Sequence, residues 1–158
     1  MKKVIAVLIV LVVYAGFAFA VEKTREDGRF IAYDNGTVLD TQTKLMWASK
    51  DNGSDIKWSD AKSYCDNYRG GGYTDWRTPT LNELEGLYDV RKPRPAVCYS
   101  RNSIHVATEL IGITCFCQWA SETSGPDSAY FSFSNGKSRW NPKSEDSISR
   151  VLPVRIGK

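Results

Sequence analysis

Hydrophobic and polar positions divide the chain into an apolar start, a strand-rich first stretch, two helical stretches and a strand-rich end. From Val4 to Phe19 no side chain carries a charge, and the run is preceded by Lys2 and Lys3. After it, Arg29-Phe30-Ile31-Ala32-Tyr33 reads as a strand closed by the turn formers Asp34-Asn35-Gly36. Thr37 to Asp40 and Lys44 to Trp47 read as hairpin arms around Thr41-Gln42-Thr43. Spacing then changes to three and four: Trp58, Ala61, Tyr64 with Cys65, and Tyr68 share one helical face, which Gly70-Gly71-Gly72 ends. Thr80 and Glu83 form a capping box for a second short helix striped by Leu81, Leu84, Leu87 and Tyr88. Further on, Cys117 to Ser121 is a short buriable strand. Ala129 to Ser134 alternates with Phe131 and Phe133 on one side, and Asn135-Gly136 predicts a type I′ hairpin returning through Lys137 to Trp140. The last strand puts Leu152, Val154 and Ile156 on one face, with Pro153 marking a bulge or a sheet edge.

The apolar start changes the charge argument. Basic residues, an apolar run and the ending Ala18-Phe19-Ala20 have the order of a cleavable export signal, so the expected boundaries are a signal peptide at 1–20, a loose polar leader at 21–27 and one domain at 28–158. No membrane span is expected once the peptide is removed. Without Lys2 and Lys3 the 21 basic side chains become 19, against 18 acidic. Such a near-neutral chain gives no electrostatic case for nucleic acid, which needs clustered Lys and Arg to displace counterions. About 138 residues suffice for one core and not for two ordinary domains.

Export also makes disulfides available to Cys65, Cys98, Cys115 and Cys117. Of three pairings, the one joining Cys115 to Cys117 fails, because the two sulfurs would lie on one strand face too far apart. Two pairings remain, and the preferred one joins Cys98 to Cys115 and Cys65 to Cys117. The functional alternative is a reactive or metal-binding Cys115-x-Cys117 pair. His105 is the single histidine and, between Ile104 and Val106, reads as structural. Asp51 with Asp55, and Ser144-Glu145-Asp146, could set oxygens around calcium, yet neither has the spacing of an EF-hand loop. No metal site and no cofactor are therefore expected. Phosphate-loop, Gly-x-Ser-x-Gly and His-Glu-x-x-His motifs do not occur. Asp75, Trp76, Arg77, Pro79, Thr80 and Glu83 read as a structural motif between the helices, with Arg77 placed to pair with Glu83. Of the large aromatics, Trp119 reads as core and Trp140 as a loop-side ring suited to stacking on sugars. A ligand site is expected at 122–127 and 140–146, from Glu122, Trp140, Asn141, Glu145 and Asp146.

The order of these strings resembles a bacterial domain family that includes the C-terminal domain of the Legionella collagen-like adhesin. The resemblance rests on Gly36-Thr37-Val38-Leu39-Asp40-Thr41 with Leu45-Met46-Trp47, on Trp58-Ser59-Asp60-Ala61, and on Gly71-Gly72-Tyr73-Thr74-Asp75-Trp76-Arg77-Thr78-Pro79-Thr80. Trp119-Ala120-Ser121-Glu122 and Val151-Leu152-Pro153-Val154-Arg155 complete it. It implies an α+β, C-type-lectin-like fold: two helices packed on small antiparallel sheets with a long loop region. It implies an exported, periplasmic, secreted or cell-surface binding or adhesion module for a glycan or protein ligand, rather than an enzyme. Two departures stand out. Pro153 occupies the place where many relatives carry a cysteine suited to pair with the one matching Cys65. The lectin calcium triplets are missing as well, since Trp140-Asn141-Pro142 shares only two residues with Trp-Asn-Asp. The alternative implied by the broad fold is an oxidase-like enzyme related to the formylglycine-generating family, using Cys115 and Cys117. A structural envelope protein without a ligand is a third reading.

Overall fold

The computed structural model describes residues 20–99, 101–144 and 149–157. The expected signal peptide lies, apart from Ala20, outside the described residues. Among those residues no helix is long and apolar enough to cross a membrane.

The chain is a small α+β domain. Strands β1 (Lys23–Asp27), β2 (Phe30–Tyr33), β3 (Thr37–Asp40) and β4 (Leu45–Ala48) form a meander. The last strand, β11 (Val154–Ile156), joins it to give the antiparallel order β1-β2-β3-β4-β11. Between these ends come α1 (Trp58–Asn67), α2 (Leu81–Glu85) and the small pair β5 (Pro93–Pro95) and β6 (Ser103–His105). A four-stranded sheet follows: β7 (Cys117–Ser124), β8 (Asp127–Ser132), β9 (Lys137–Pro142) and β10 (Ser149–Arg150), in the order β10-β7-β8-β9.

Neighbouring residues of a strand point to opposite faces, and β7 uses both. Ala120, with Ala129 and Phe131 of β8, belongs to the main core between the sheets, together with Leu84 and Leu87 of the α2 region and Val38, Trp47, Leu152 and Val154. Trp119 points the other way, into a second cluster under α1 with Ala61, Cys65 and Val151. The four-stranded sheet is thus covered by α1 on one face and by α2 on the other.

Three local expectations are corrected. The stretch Lys23–Asp27, read as loose leader, is an edge strand paired antiparallel to β2 with a register shift between Lys23 and Arg25, because its backbone satisfies the free side of that strand. The β8–β9 turn is not type I′: Gly136 has φ 68°, while Lys44 is the one described non-glycine residue with positive φ. The turn closes instead by Gly136 N–H donating to Ser132 C=O at 2.8 Å, while Phe133 N–H stays bonded to Phe116 C=O. The third concerns β11. Leu152 and Val154 are buried as expected, yet Ile156 is exposed and Arg155 is buried. β11 is an edge strand, as Pro153 suggested, and Arg77 covers part of that edge with two backbone hydrogen bonds to Val154, at 2.9 and 3.0 Å.

Candidate functional site

The quoted strings around Trp58, Arg77 and Trp119 meet at one place, where α1, the start of α2 and β7 come together. Two tryptophans tie α1 and the segment leading into it to β7: Trp58 Nε1 donates to Ala120 C=O at 2.9 Å, and Trp119 Nε1 donates to Ile56 C=O at 2.7 Å. Between Trp119 and Thr123 the register of β7 shifts, because Trp119 faces Tyr130 while Thr123 faces Ser128. The extra residues form a bulge that frees backbone groups from the ladder. Ser121 N–H then donates to Pro79 C=O at 2.8 Å, and the Glu122 carboxylate accepts from Leu81 N–H at 2.9 and 3.1 Å.

The start of α2 is satisfied in the same region. Thr80 and Glu83 form the expected capping box. Glu83 also takes a two-point ion pair from Arg77, at 2.6 and 2.8 Å. Burial alone would raise the Glu83 carboxyl, but the hydrogen bonds from Arg77 and from the Thr80 amide outweigh it and hold the group below the ordinary carboxylate range. Arg77 is correspondingly raised, chiefly by its hydrogen bond to Glu83. Neither charge is left free to act as an acid or a base near neutral pH.

Above this scaffold lies a groove of about 400 Å³, lined by Trp58, Lys62, Asp66, Arg77, Thr78, Thr80, Ser121 and Thr123. Lys62 and Asp66 pair at 2.6 Å along α1. Lys143 Nζ stands 5.4 Å from the centre of the Trp58 ring and donates to Gly125 C=O at 2.7 Å. A half-buried indole, hydroxyls and both signs of charge therefore border one shallow space.

The cysteines separate into two kinds. Cys98 and Cys115 are disulfide-bonded across 17 residues, as preferred from the sequence. Cys65 and Cys117 are free and buried, which corrects the second expected bridge. α1 crosses β7 at Trp119, two residues beyond Cys117, so Cys65 packs against that indole rather than a sulfur. Burial pushes the Cys65 thiol up to about 12 and the Cys117 thiol up to about 11. A Cys115-x-Cys117 thiol pair does not exist here, because one sulfur is bridged and the other is a buried neutral thiol. The oxidase-like alternative loses its chemistry on that geometry.

The other candidates fall in distinct places. Glu122 is occupied with the amide of Leu81. Trp140 is 48% exposed on β9, and Asn141 faces Ser128 across the ladder. Glu145 and Asp146 lie outside the described residues. Asp51 is buried and accepts from Gly53 N–H, Thr114 N–H, the Thr114 hydroxyl and Gln118 Nε2, whereas Asp55 faces Arg150 at 3.5 Å. The two carboxylates thus serve separate contacts. Among the described residues no group of three or more His, Cys, Asp or Glu side chains is placed to hold a metal ion. His105 is half-buried, with Nδ1 3.0 Å from Val90 C=O. Trp76 is buried and donates to Gly70 C=O, and Asp75 receives Arg155 at 2.6 and 3.0 Å. Sequence reasoning missed Arg155, whose guanidinium also stacks 3.9 Å from the Tyr73 ring centre. It missed Lys62, Asp66 and Lys143 as well; the step of four from Lys62 to Asp66, beginning four residues after Trp58, was the available signal.

The sequence model of the Lcl C-terminal domain matches residues 36–155, the span that contains every string on which the family resemblance rests. No curated protein matches the chain. The match covers well over half of the residues, and the chain belongs to the Lcl C-terminal domain family, an adhesin-related domain.

Proposed function

We propose that this chain is an exported binding module of C-type-lectin-like fold, which recognises a glycan ligand in the groove beside Trp58. The lectin-like reading is supported by two helices on opposite faces of a small sheet and by the long, disulfide-stapled stretch between α2 and β7. Export is supported by the basic and apolar start of the sequence and by that disulfide, a bond suited to oxidising compartments.

The observation that carries the glycan reading is the composition of the groove. The Trp58 indole supplies a flat apolar face for a sugar ring, while Thr80, Ser121 and Thr123 and the Lys62–Asp66 pair supply donors and acceptors for hydroxyls. A protein ligand would need a contact of about 800 Å² per partner, and a groove of this size suits a smaller ligand. The ligand is held without calcium, because the lectin triplets are absent from the sequence and the groove's charges are already paired.

A glycan array followed by calorimetry on the purified chain tests the proposal. Thr123→Arg fills the groove from the exposed side of the bulge, and Lys62→Glu reverses its rim charge. Each should weaken binding by at least about tenfold, a loss of about 1.4 kcal/mol, with the melting temperature unchanged. Wild-type affinity in both variants would place the glycan elsewhere and overturn the assignment.

A further inference from the structure

β9 is the outer edge of the four-stranded sheet, and its hydrogen-bonding phase can be read directly. Lys143 N–H donates to Pro126 C=O at 3.0 Å, one step beyond the Asp127–Pro142 pair. Bonded and non-bonded pairs alternate along an antiparallel ladder. Lys137, Arg139 and Asn141 therefore turn their backbone groups inward to β8, and Ser138, Trp140 and Pro142 turn theirs outward. Pro142, which has no N–H, occupies a position where the inner ladder needs none. The outward edge offers the amides of Ser138 and Trp140 and the carbonyls of all three residues.

Side chains on this edge also alternate. Ser138 and Trp140 share a face with Phe131 and Ala129, and Trp140 remains 48% exposed. Lys137 and Arg139 lie on the other face, opposite Ser132 and Tyr130. Both are exposed, and neither forms an ion pair with a described residue. Cations on an edge strand discourage pairing with a like strand, and a second copy of β9 would bring the same cations together. An acidic strand meets the opposite situation.

We propose that β9 docks an extended acidic peptide segment as an added antiparallel strand. Its glutamate or aspartate side chains lie over Lys137 and Arg139, and on the opposite face the apolar side chain one step beyond the Arg139 partner rests against Trp140. Main-chain hydrogen bonds to Ser138 and Trp140 supply affinity, and the alternation of charge and apolar contact supplies specificity. None of Lys137, Ser138, Arg139 and Trp140 lines the groove beside Trp58, and the docking does not depend on what that groove binds.

The test uses the whole chain and a fluorescent octapeptide alternating valine and glutamate, read by anisotropy. Saturable binding is expected. It should weaken at least about tenfold in Arg139→Glu and in Ser138→Pro, since each removes interaction worth about 1.4 kcal/mol or more. Ser138→Pro deletes an outward amide and leaves the β8 ladder intact, so its melting temperature should stay near that of the parent chain. If that variant fails to fold, the parent chain with a peptide N-methylated at alternate amides gives the same information, and one of the two methylation phases should lose binding. Equal affinity for both methylated phases, or binding only to polyanionic polysaccharide, would mean attraction by charge alone and would overturn the added strand. Lack of saturable binding would overturn it as well.

Discussion

Arg155 is 2% exposed, yet it carries a full charge on the edge strand β11. Asp75 receives its Nε and Nη2 at 2.6 and 3.0 Å, Tyr73 stacks on the guanidinium at 3.9 Å, and Met46 Sδ lies 3.5 Å from Nη1. Asp75→Asn leaves that guanidinium buried without a counter-charge. Breaking a fully buried pair costs about 3–5 kcal/mol, whereas an exposed pair contributes about 0–1 kcal/mol. Here the cation is enclosed and the Asp75 side chain is 57% exposed, so water screens one partner only. The expected cost is about 2 kcal/mol, or a fall of about 4–8 °C in melting temperature for a domain of this size. Urea unfolding followed by tryptophan fluorescence measures it. Arg155→Met and the double variant complete a thermodynamic cycle, with an expected coupling of about 1–2 kcal/mol. Arg155→Lys should also lose at least about 1 kcal/mol, because an ammonium keeps the charge but not the two-point fork or the flat stack. A coupling below about 0.5 kcal/mol would refute the reasoning, since Arg155 would then be held by Tyr73 and packing alone.

Replacing Cys98 and Cys115 by alanine releases a closure across 17 residues and should cost about 3 kcal/mol in denaturant unfolding under oxidising conditions. Thiol counting should find Cys65 and Cys117 unreactive toward maleimide in the native chain at pH 7 and both reactive in guanidinium; native labelling would contradict their burial. Glu83 has a folded pKa held below its ordinary value of 4.5, so its contribution is present above about pH 4.5 and is lost as pH falls through the lower folded value. Glu83→Gln should therefore flatten the acid limb of a stability–pH curve; an unchanged limb would remove Glu83 from the explanation. If a glycan is found, its affinity should be the same in EDTA as in millimolar calcium; a loss in EDTA would point to a metal-dependent site.

The meander of β2, β3 and β4, α1, the capping box of α2 and the Cys98–Cys115 bridge were legible because each is fixed by local spacing, turn chemistry or chain closure. What the sequence hid depends on partners far along the chain. Lys23–Asp27 looks like solvated leader until the free edge of β2 is known to lie beside it. Arg155 has the alternation of an outward residue, and only the return of the loop at Tyr73 and Asp75 encloses it. Asn135-Gly136 carries the local preference for one turn, but the chain closes a wider one from Ser132 to Gly136. Cys65 and Cys117 are both buried near β7, and their separation follows from where α1 crosses that strand, which no spacing reveals.

The quoted strings are largely consumed by the scaffold, and this bears on where specificity resides. Trp58 spends its indole N–H on Ala120, Arg77 its guanidinium on Glu83, and Glu122 its carboxylate on Leu81. Pro79 and Ser121 meet through their backbones. Groups already satisfied gain little from a ligand, whereas replacing one leaves its buried partner unpaired at about 1–3 kcal/mol. The strings therefore report the fold more than the ligand. Discrimination between ligands must come from the positions that border the groove without holding it together: Lys62 and Asp66 on α1, the outward side chains of Ser121 and Thr123, and Lys143 beside the Trp58 ring. Exchanging these five residues should change which ligand is bound while leaving stability within about 0.5 kcal/mol per site, whereas exchanging Trp58, Arg77 or Glu122 should lower stability first.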